Sequence, residues 1–106
     1  MTKESPLPIL KAVVTAPQGL HARSAAVFVR AVVDTGLPLT IRKAGGVVVD
    51  ARSLLHVMAA DFHHGCEVEL AVSDDALDGP LDPQHARGAL EHLVALLASQ
   101  GAAQSV

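Results

Sequence analysis

Four short stretches of the chain are rich in β-branched and other apolar residues, most of which alternate with polar ones, as in half-buried β-strands. The pattern predicts strands over residues 9–16, 37–42, 47–49 and 66–72. In the first strand, Leu10, Ala12 and Val14 are expected to face a core. The short turn at residues 44–46 predicts that the second and third strands form a hairpin.

Three other segments carry apolar residues at helical spacing. The first helix is predicted over residues 22–33, because Ala25, Phe28, Val29 and Val32 recur at steps of three and four, and residues 34–36 should end it. Ser53 is a natural N-cap for a short helix over residues 54–60. Asp82 and Pro83 open the last helix, which Gly101 is expected to end. Its apolar stripe comprises Ala86, Leu90, Leu93, Val94 and Leu97.

The resulting element order is β-α-β-β-α-β-α. Hairpin-forming strands and helices with one apolar stripe each predict an α+β fold, a largely antiparallel sheet with its helices on one face. The chain length fits one domain over residues 1–106, with loose tails at 1–6 and 101–106 and a polar loop over 73–81.

The composition of the chain argues against several classes of function. The net charge of −3 and the 2% aromatic content argue against nucleic-acid binding, which favours basic surfaces and stacking aromatics. No apolar run is long enough for a membrane span or a leader, so we expect a cytoplasmic protein without membrane insertion. Cys66 is the single cysteine, which excludes an internal disulfide and fits a reducing compartment.

Candidate chemistry lies where the first strand gives way to the first helix. Pro17, Gln18 and Gly19 break the strand, and His21 and Arg23 follow at the opening turn of the helix. The first N–H groups of a helix lack internal partners and carry partial positive charge, an arrangement that suits a phosphoryl group. A neutral imidazole is also a nucleophile toward phosphorus.

The stretch Gly19-Leu20-His21-Ala22-Arg23-Ser24-Ala25 resembles the motif G-L-H-A-R-P-A of HPr, the histidine-containing phosphocarrier protein of the bacterial phosphoenolpyruvate-dependent sugar phosphotransferase system. Ser24 stands where the family has proline. The resemblance covers residues 11–97 and implies an open-faced β-sandwich, a four-stranded sheet with three helices. It also implies phosphorylation of His21 at Nδ1, with Arg23 holding the phosphoryl group.

The same resemblance implies partners. Enzyme I of the phosphotransferase system would deliver the phosphoryl group of phosphoenolpyruvate to His21, and a IIA-type domain would accept it. The protein would be a monomeric carrier without turnover of its own, cofactor or metal. An alternative is a regulatory module of the same fold that acts through Ser53 or by binding alone. A further alternative is a carrier that serves nitrogen regulation or dihydroxyacetone phosphorylation instead of sugar uptake.

Ser53 matches the serine that an HPr serine kinase phosphorylates in some family members, although an N-cap alone also accounts for a serine there. If the fold is as implied, apolar side chains should lie near His21 as a docking face for partners. The docking face predicted from the sequence comprises Ser24, Val27, Arg30, Leu54, Leu55 and Met58. His63, His64 and Cys66 match no common zinc spacing, and we expect no metal site.

Overall fold

A computed structural model describes residues 9–73 and 82–103 of the chain. Its elements in chain order are β1 (Ile9–Val13), α1 (Ala22–Thr35), β2 (Leu39–Lys43), β3 (Val48–Asp50), α2 (Leu54–Ala59), β4 (Glu67–Val72) and α3 (Pro83–Ala103). The predicted tail at residues 1–6 and most of the predicted loop at 73–81 lie outside the described residues. Within the described ranges, no helix is both long and apolar enough to cross a membrane.

The four strands form one antiparallel sheet in the order β1-β4-β2-β3. Leu70 in the inner strand β4 lies opposite Leu10 on one side and Ile41 on the other. β2 and β3 pair as the predicted hairpin, with Ile41 opposite Val49. This open sheet and its three helices confirm the α+β fold and the order β-α-β-β-α-β-α.

The helices cover one face of the sheet. As a consequence, residues along β1 and β4 alternate between more buried and more exposed positions. The predicted stripe of α1 is buried in full. In α3, Val94 is partly buried and the other predicted stripe residues are fully buried. Sheet and helices share one apolar core that includes Ala12, Ile41, Val68, Leu70, Phe28, Val32, Leu90, Leu93 and Leu97.

β1 is shorter than predicted. It ends at Val13 instead of Ala16, although Val14 still exchanges backbone hydrogen bonds with Gly65 and Cys66 just ahead of β4. The Thr15 hydroxyl lies within hydrogen-bond distance of the C=O groups of Leu97 and Ala98. This contact joins residues more than eighty positions apart, so local alternation could not indicate it.

The prediction that Gly101 ends α3 is wrong, because the helix continues to Ala103. The tail predicted from residue 101 is therefore helical over 101–103. Gly101 is needed for packing instead: a Cβ atom there would lie 2.8 Å from the Thr15 carbonyl oxygen. Its N–H also donates to Thr15 Oγ1 at 2.9 Å. The absence of a side chain lets α3 approach the end of β1.

A second close approach lies between the loop after β1 and the segment after α2. Leu20 N–H donates to the Phe62 carbonyl at 2.7 Å, and both side chains are buried. Gly19 has a φ of +77°, and a Cβ there would lie 2.5 Å from Phe62 O and 2.8 Å from His63 Cα. Only glycine satisfies both the left-handed backbone and this contact.

We therefore expect Gly19→Ala to be strongly destabilising. Backbone strain of about 1–2 kcal/mol and overpacking of about 1–3 kcal/mol should together lower the free energy of unfolding in urea. Gly45→Ala is the matched control, since Gly45 has a φ of +76° and open space around its Cα. In the control, the free energy of unfolding should fall only by the amount that backbone strain contributes. Equal losses in the two variants would contradict the packing constraint at Gly19.

Candidate functional site

The loop between β1 and α1 forms a shallow surface pocket of about 290 Å³. It is lined by Ala16, Pro17, Gln18, Gly19, His21, Ala22, Arg23 and Ser24. The structure thus brings together His21, Arg23 and Ser24, three of the residues singled out from the sequence. The other predicted site residues are Val27 and Arg30 on α1, the α2 N-cap Ser53, and Leu54, Leu55 and Met58 on α2.

His21 is the N-cap of α1 and has an extended backbone, with φ −146° and ψ 142°. Its side chain is exposed, so a second protein can reach the imidazole. The next residue, Ala22, has a φ of +50°, a left-handed conformation that is uncommon for alanine. Such strain persists only where the surrounding structure fixes the backbone.

The Ser24 hydroxyl supplies that fixation. It donates to the Gly19 carbonyl at 2.6 Å and accepts from His21 N–H at 3.1 Å. The same oxygen lies 3.1 Å from the His21 carbonyl. One side chain in the first turn of α1 therefore bridges both sides of Leu20 and holds the turn that carries His21.

Arg23 is exposed at the same helix end. Arg30, Arg42, Arg52 and Arg87 each have a carboxylate partner, whereas Arg23 has none within 4 Å among the described residues. Its guanidinium is therefore available for an anion in the pocket, to which it can donate two parallel hydrogen bonds. The N–H groups at the start of α1 add donors for the same anion.

Comparisons with known proteins identify the family of the chain. A family model described as "PTS HPr component phosphorylation site" matches residues 10–99. The chain is 43% identical over 81 residues to the phosphocarrier protein HPr of Streptomyces coelicolor, which covers 76% of this chain and 77% of that protein. The chain belongs to the HPr family. The resemblance seen in the histidine motif is thereby confirmed.

Solved HPr structures share the fold. The crystal structure of HPr-C-His from Thermoanaerobacter tengcongensis superposes with a TM-score of 0.72 at 26% identity, covering 91% of this chain and 97% of that one. HPr from Bacillus anthracis superposes with a TM-score of 0.69 at 27% identity, covering 84% and 94%. Relative to the HPr motif, this chain departs at Ser24, which offers a hydroxyl where a proline ring would fix φ.

Ser53 is the N-cap of α2, as predicted, and its hydroxyl accepts from His56 N–H at 3.2 Å. The preceding turn is ordered by Asp50, whose carboxylate accepts from the backbone N–H of Arg52 at 2.9 Å and from its Nε at 3.1 Å. Partial burial opposes ionisation of Asp50. The hydrogen bonds from Arg52 and the charges of Arg52 and His56 outweigh it, so the pKa of Asp50 lies below its ordinary value.

The predicted docking face lies on two helices that pack against each other. Val27 is 45% exposed, Leu54 39% and Leu55 80%. Met58 is instead partly buried and packs on the core. Arg30 is exposed and pairs with Asp34 at 3.7 Å, one helical turn away.

Two of the remaining histidines, His63 and His64, each lie close to a backbone carbonyl group. His63 Nδ1 lies 3.1 Å from the His64 carbonyl, and His64 Nδ1 lies 3.3 Å from the Ala16 carbonyl. Cys66 is buried. No group of three or more His, Cys, Asp or Glu side chains in the described ranges is arranged to hold a metal ion.

Two residues that attach the site, or the chain just before it, to the end of α3 were not singled out from the sequence. Gln100 donates from Nε2 to the Ser24 carbonyl at 3.1 Å, and Thr15 binds the same end of α3 through its hydroxyl. A signal for Gln100 was present: it follows Leu93 and Leu97 at steps of four and three, so a polar residue occupies the apolar face.

Proposed function

We propose that this protein is a phosphocarrier that accepts a phosphoryl group on His21 from Enzyme I and passes it to a IIA-type domain. Phosphoenolpyruvate is the ultimate donor, and sugar uptake is the process served. The observation that carries the proposal is the position of His21: an exposed imidazole at the start of α1, in one pocket with Arg23. Membership of the HPr family supports the same assignment.

The chemistry is a transfer between two nucleophiles. The lone pair of neutral His21 Nδ1 attacks the phosphorus of the phosphorylated donor. A nitrogen–phosphorus bond forms as the donor's bond to phosphorus breaks, and its electron pair stays with the donor group. The reverse sequence of bond changes delivers the phosphoryl group to the acceptor. Exposure of His21 is necessary for this role, because donor and acceptor must both reach the same atom.

Two features stabilise the phosphoryl oxygens in this proposal. The N–H groups at the start of α1 contribute roughly 0.3–1 kcal/mol through the helix dipole. The Arg23 guanidinium contributes a charge-assisted hydrogen bond of about 1.5–3 kcal/mol. Neither encloses the group, so the phosphoryl group remains accessible to the acceptor.

The docking surface for Enzyme I and the IIA-type domain is formed in this proposal by Val27, Leu54 and Leu55, with Ser24, Arg30 and Met58 beside them. Exposed apolar side chains on adjacent helices favour protein contact. The Arg30–Asp34 pair offsets part of the charge of Arg30, so Arg23 supplies most of the steering toward acidic partners.

Loss of the imidazole tests the carrier role. His21→Ala should fold normally, since the His21 side chain is exposed, and should accept no acid-labile phosphate from Enzyme I and labelled phosphoenolpyruvate. His85→Ala is the matched control, an exposed histidine on α3 that should label like the wild type. Undiminished labelling of His21→Ala would reject the assignment and favour a regulatory module that acts by binding.

Removal of the guanidinium tests the role of Arg23. Arg23→Ala should slow phosphoryl acceptance by roughly tenfold or more, because one charge-assisted hydrogen bond to the phosphoryl group is lost. Arg23→Lys should restore the rate only in part, because an ammonium lacks the bidentate geometry. Arg87→Ala, in an exposed pair with Glu91 on α3, is the control. An Arg23→Ala rate equal to that of the wild type would exclude the role.

Charge at Ser53 tests regulation at the docking surface. Aspartate is a good N-cap, so Ser53→Asp should keep or raise the melting temperature. Transfer from Enzyme I should slow severalfold, because a carboxylate beside Leu54 and Leu55 must lose water on docking and repels an acidic partner. Ser99→Asp, at an exposed serine on α3, is the control. If a stable Ser53→Asp variant accepts the phosphoryl group at the wild-type rate, Ser53 serves only as an N-cap.

A further inference from the structure

We infer that Gln100, at the end of α3, is a positioning residue that holds the turn carrying His21. The inference rests on the proposed function for its kinetic readout and on the structure for its geometry. Gln100 is the single buried polar side chain among the described residues, at 8% exposure. Its Nε2 donates to the Ser24 carbonyl at 3.1 Å across a sequence separation of 76 residues.

The amide of Gln100 has one orientation available. The Ser24 carbonyl has no hydrogen to give, so the nitrogen must face it. This leaves Oε1 buried without a hydrogen-bond partner among the described residues. A leucine, as at Leu93 and Leu97 on the same stripe, would bury no polar atom. Core stability alone therefore does not account for glutamine at this position.

The hydrogen bond from Gln100 completes a set of restraints on Ser24. The Ser24 hydroxyl fixes Gly19 and His21, and its carbonyl is held by Gln100. The HPr motif has proline at this position, where the ring itself restricts the backbone. In this chain, side-chain hydrogen bonds to and from Ser24 supply the restraint instead.

The end of α3 also holds the other side of the loop. The Thr15 hydroxyl directs its one hydrogen toward the carbonyls of Leu97 and Ala98, and its oxygen accepts from Gly101 N–H. The segment that carries His21 is thus attached to the same helix end just before it begins, at Thr15, and just after it, at Ser24. Gln100 is the side chain of α3 that makes the second attachment.

The test compares Gln100→Leu with Gln84→Leu, a glutamine that is exposed in the first turn of α3. At saturating phosphorylated Enzyme I, Gln100→Leu should accept phosphate roughly two- to tenfold more slowly, with KM unchanged. Its melting temperature should be equal to or above that of the wild type. The double variant Ser24→Ala/Gln100→Leu should show a smaller loss in the logarithm of the acceptance rate than the sum of the two single-variant losses. Both substitutions act on the same turn, so their effects should not be additive.

A second measurement needs no donor. NMR of the imidazole of His21 and the amide of Ala22 should show shifted resonances in Gln100→Leu, with those of His56 and His85 unchanged. Gln100→Glu, nearly isosteric but unable to donate when ionised, should shift them too. Wild-type rates of phosphoryl acceptance at saturating phosphorylated Enzyme I, together with wild-type His21 resonances, in both Gln100 variants would overturn the inference. If the wild type accepts no phosphate, the proposed function fails, and the resonances alone decide the role of Gln100.

Discussion

The hydrogen bond from Leu20 N–H to the Phe62 carbonyl fixes where the site lies on the fold. It joins the loop after β1 to the segment after α2, with a buried side chain on each side. Gly19 makes the approach close enough, since any Cβ would overlap Phe62 and His63. His21 follows one residue after this contact, so its position depends on the crossing of two backbone segments as well as on α1.

From that crossing, the site is restrained by polar contacts of a few side chains. Ser24 bridges Gly19 and His21, and Gln100 holds Ser24. The left-handed Ala22 lies inside this set. The arrangement keeps the imidazole exposed while its backbone is restrained, as the proposed role of a carrier with two successive partners requires. Rigid placement lowers the entropy lost when donor and acceptor atoms align.

Local patterns predicted most of the fold. The stripe of α1 and the N-cap at Ser53 were predicted because their causes lie within a few residues of each other. The candidate pair His21 and Arg23 was found for the same reason. The contact of Thr15, the role of Gly101 and the contact of Gln100 depend on partners over seventy residues away. A glycine that permits close approach and a glycine that ends a helix look alike in sequence, so Gly101 was misassigned.

The most direct test of the account is the chemical position of the phosphoryl group on the wild-type protein. The chain is incubated with Enzyme I and phosphoenolpyruvate, and the product is examined by ¹⁵N-resolved NMR of the histidine rings. We expect one phosphorylated ring, that of His21, with phosphorus bonded to Nδ1 and the other five histidines unchanged. Stoichiometric phosphate on any other residue, or a wild-type protein that remains unphosphorylated beside an active Enzyme I, would contradict it.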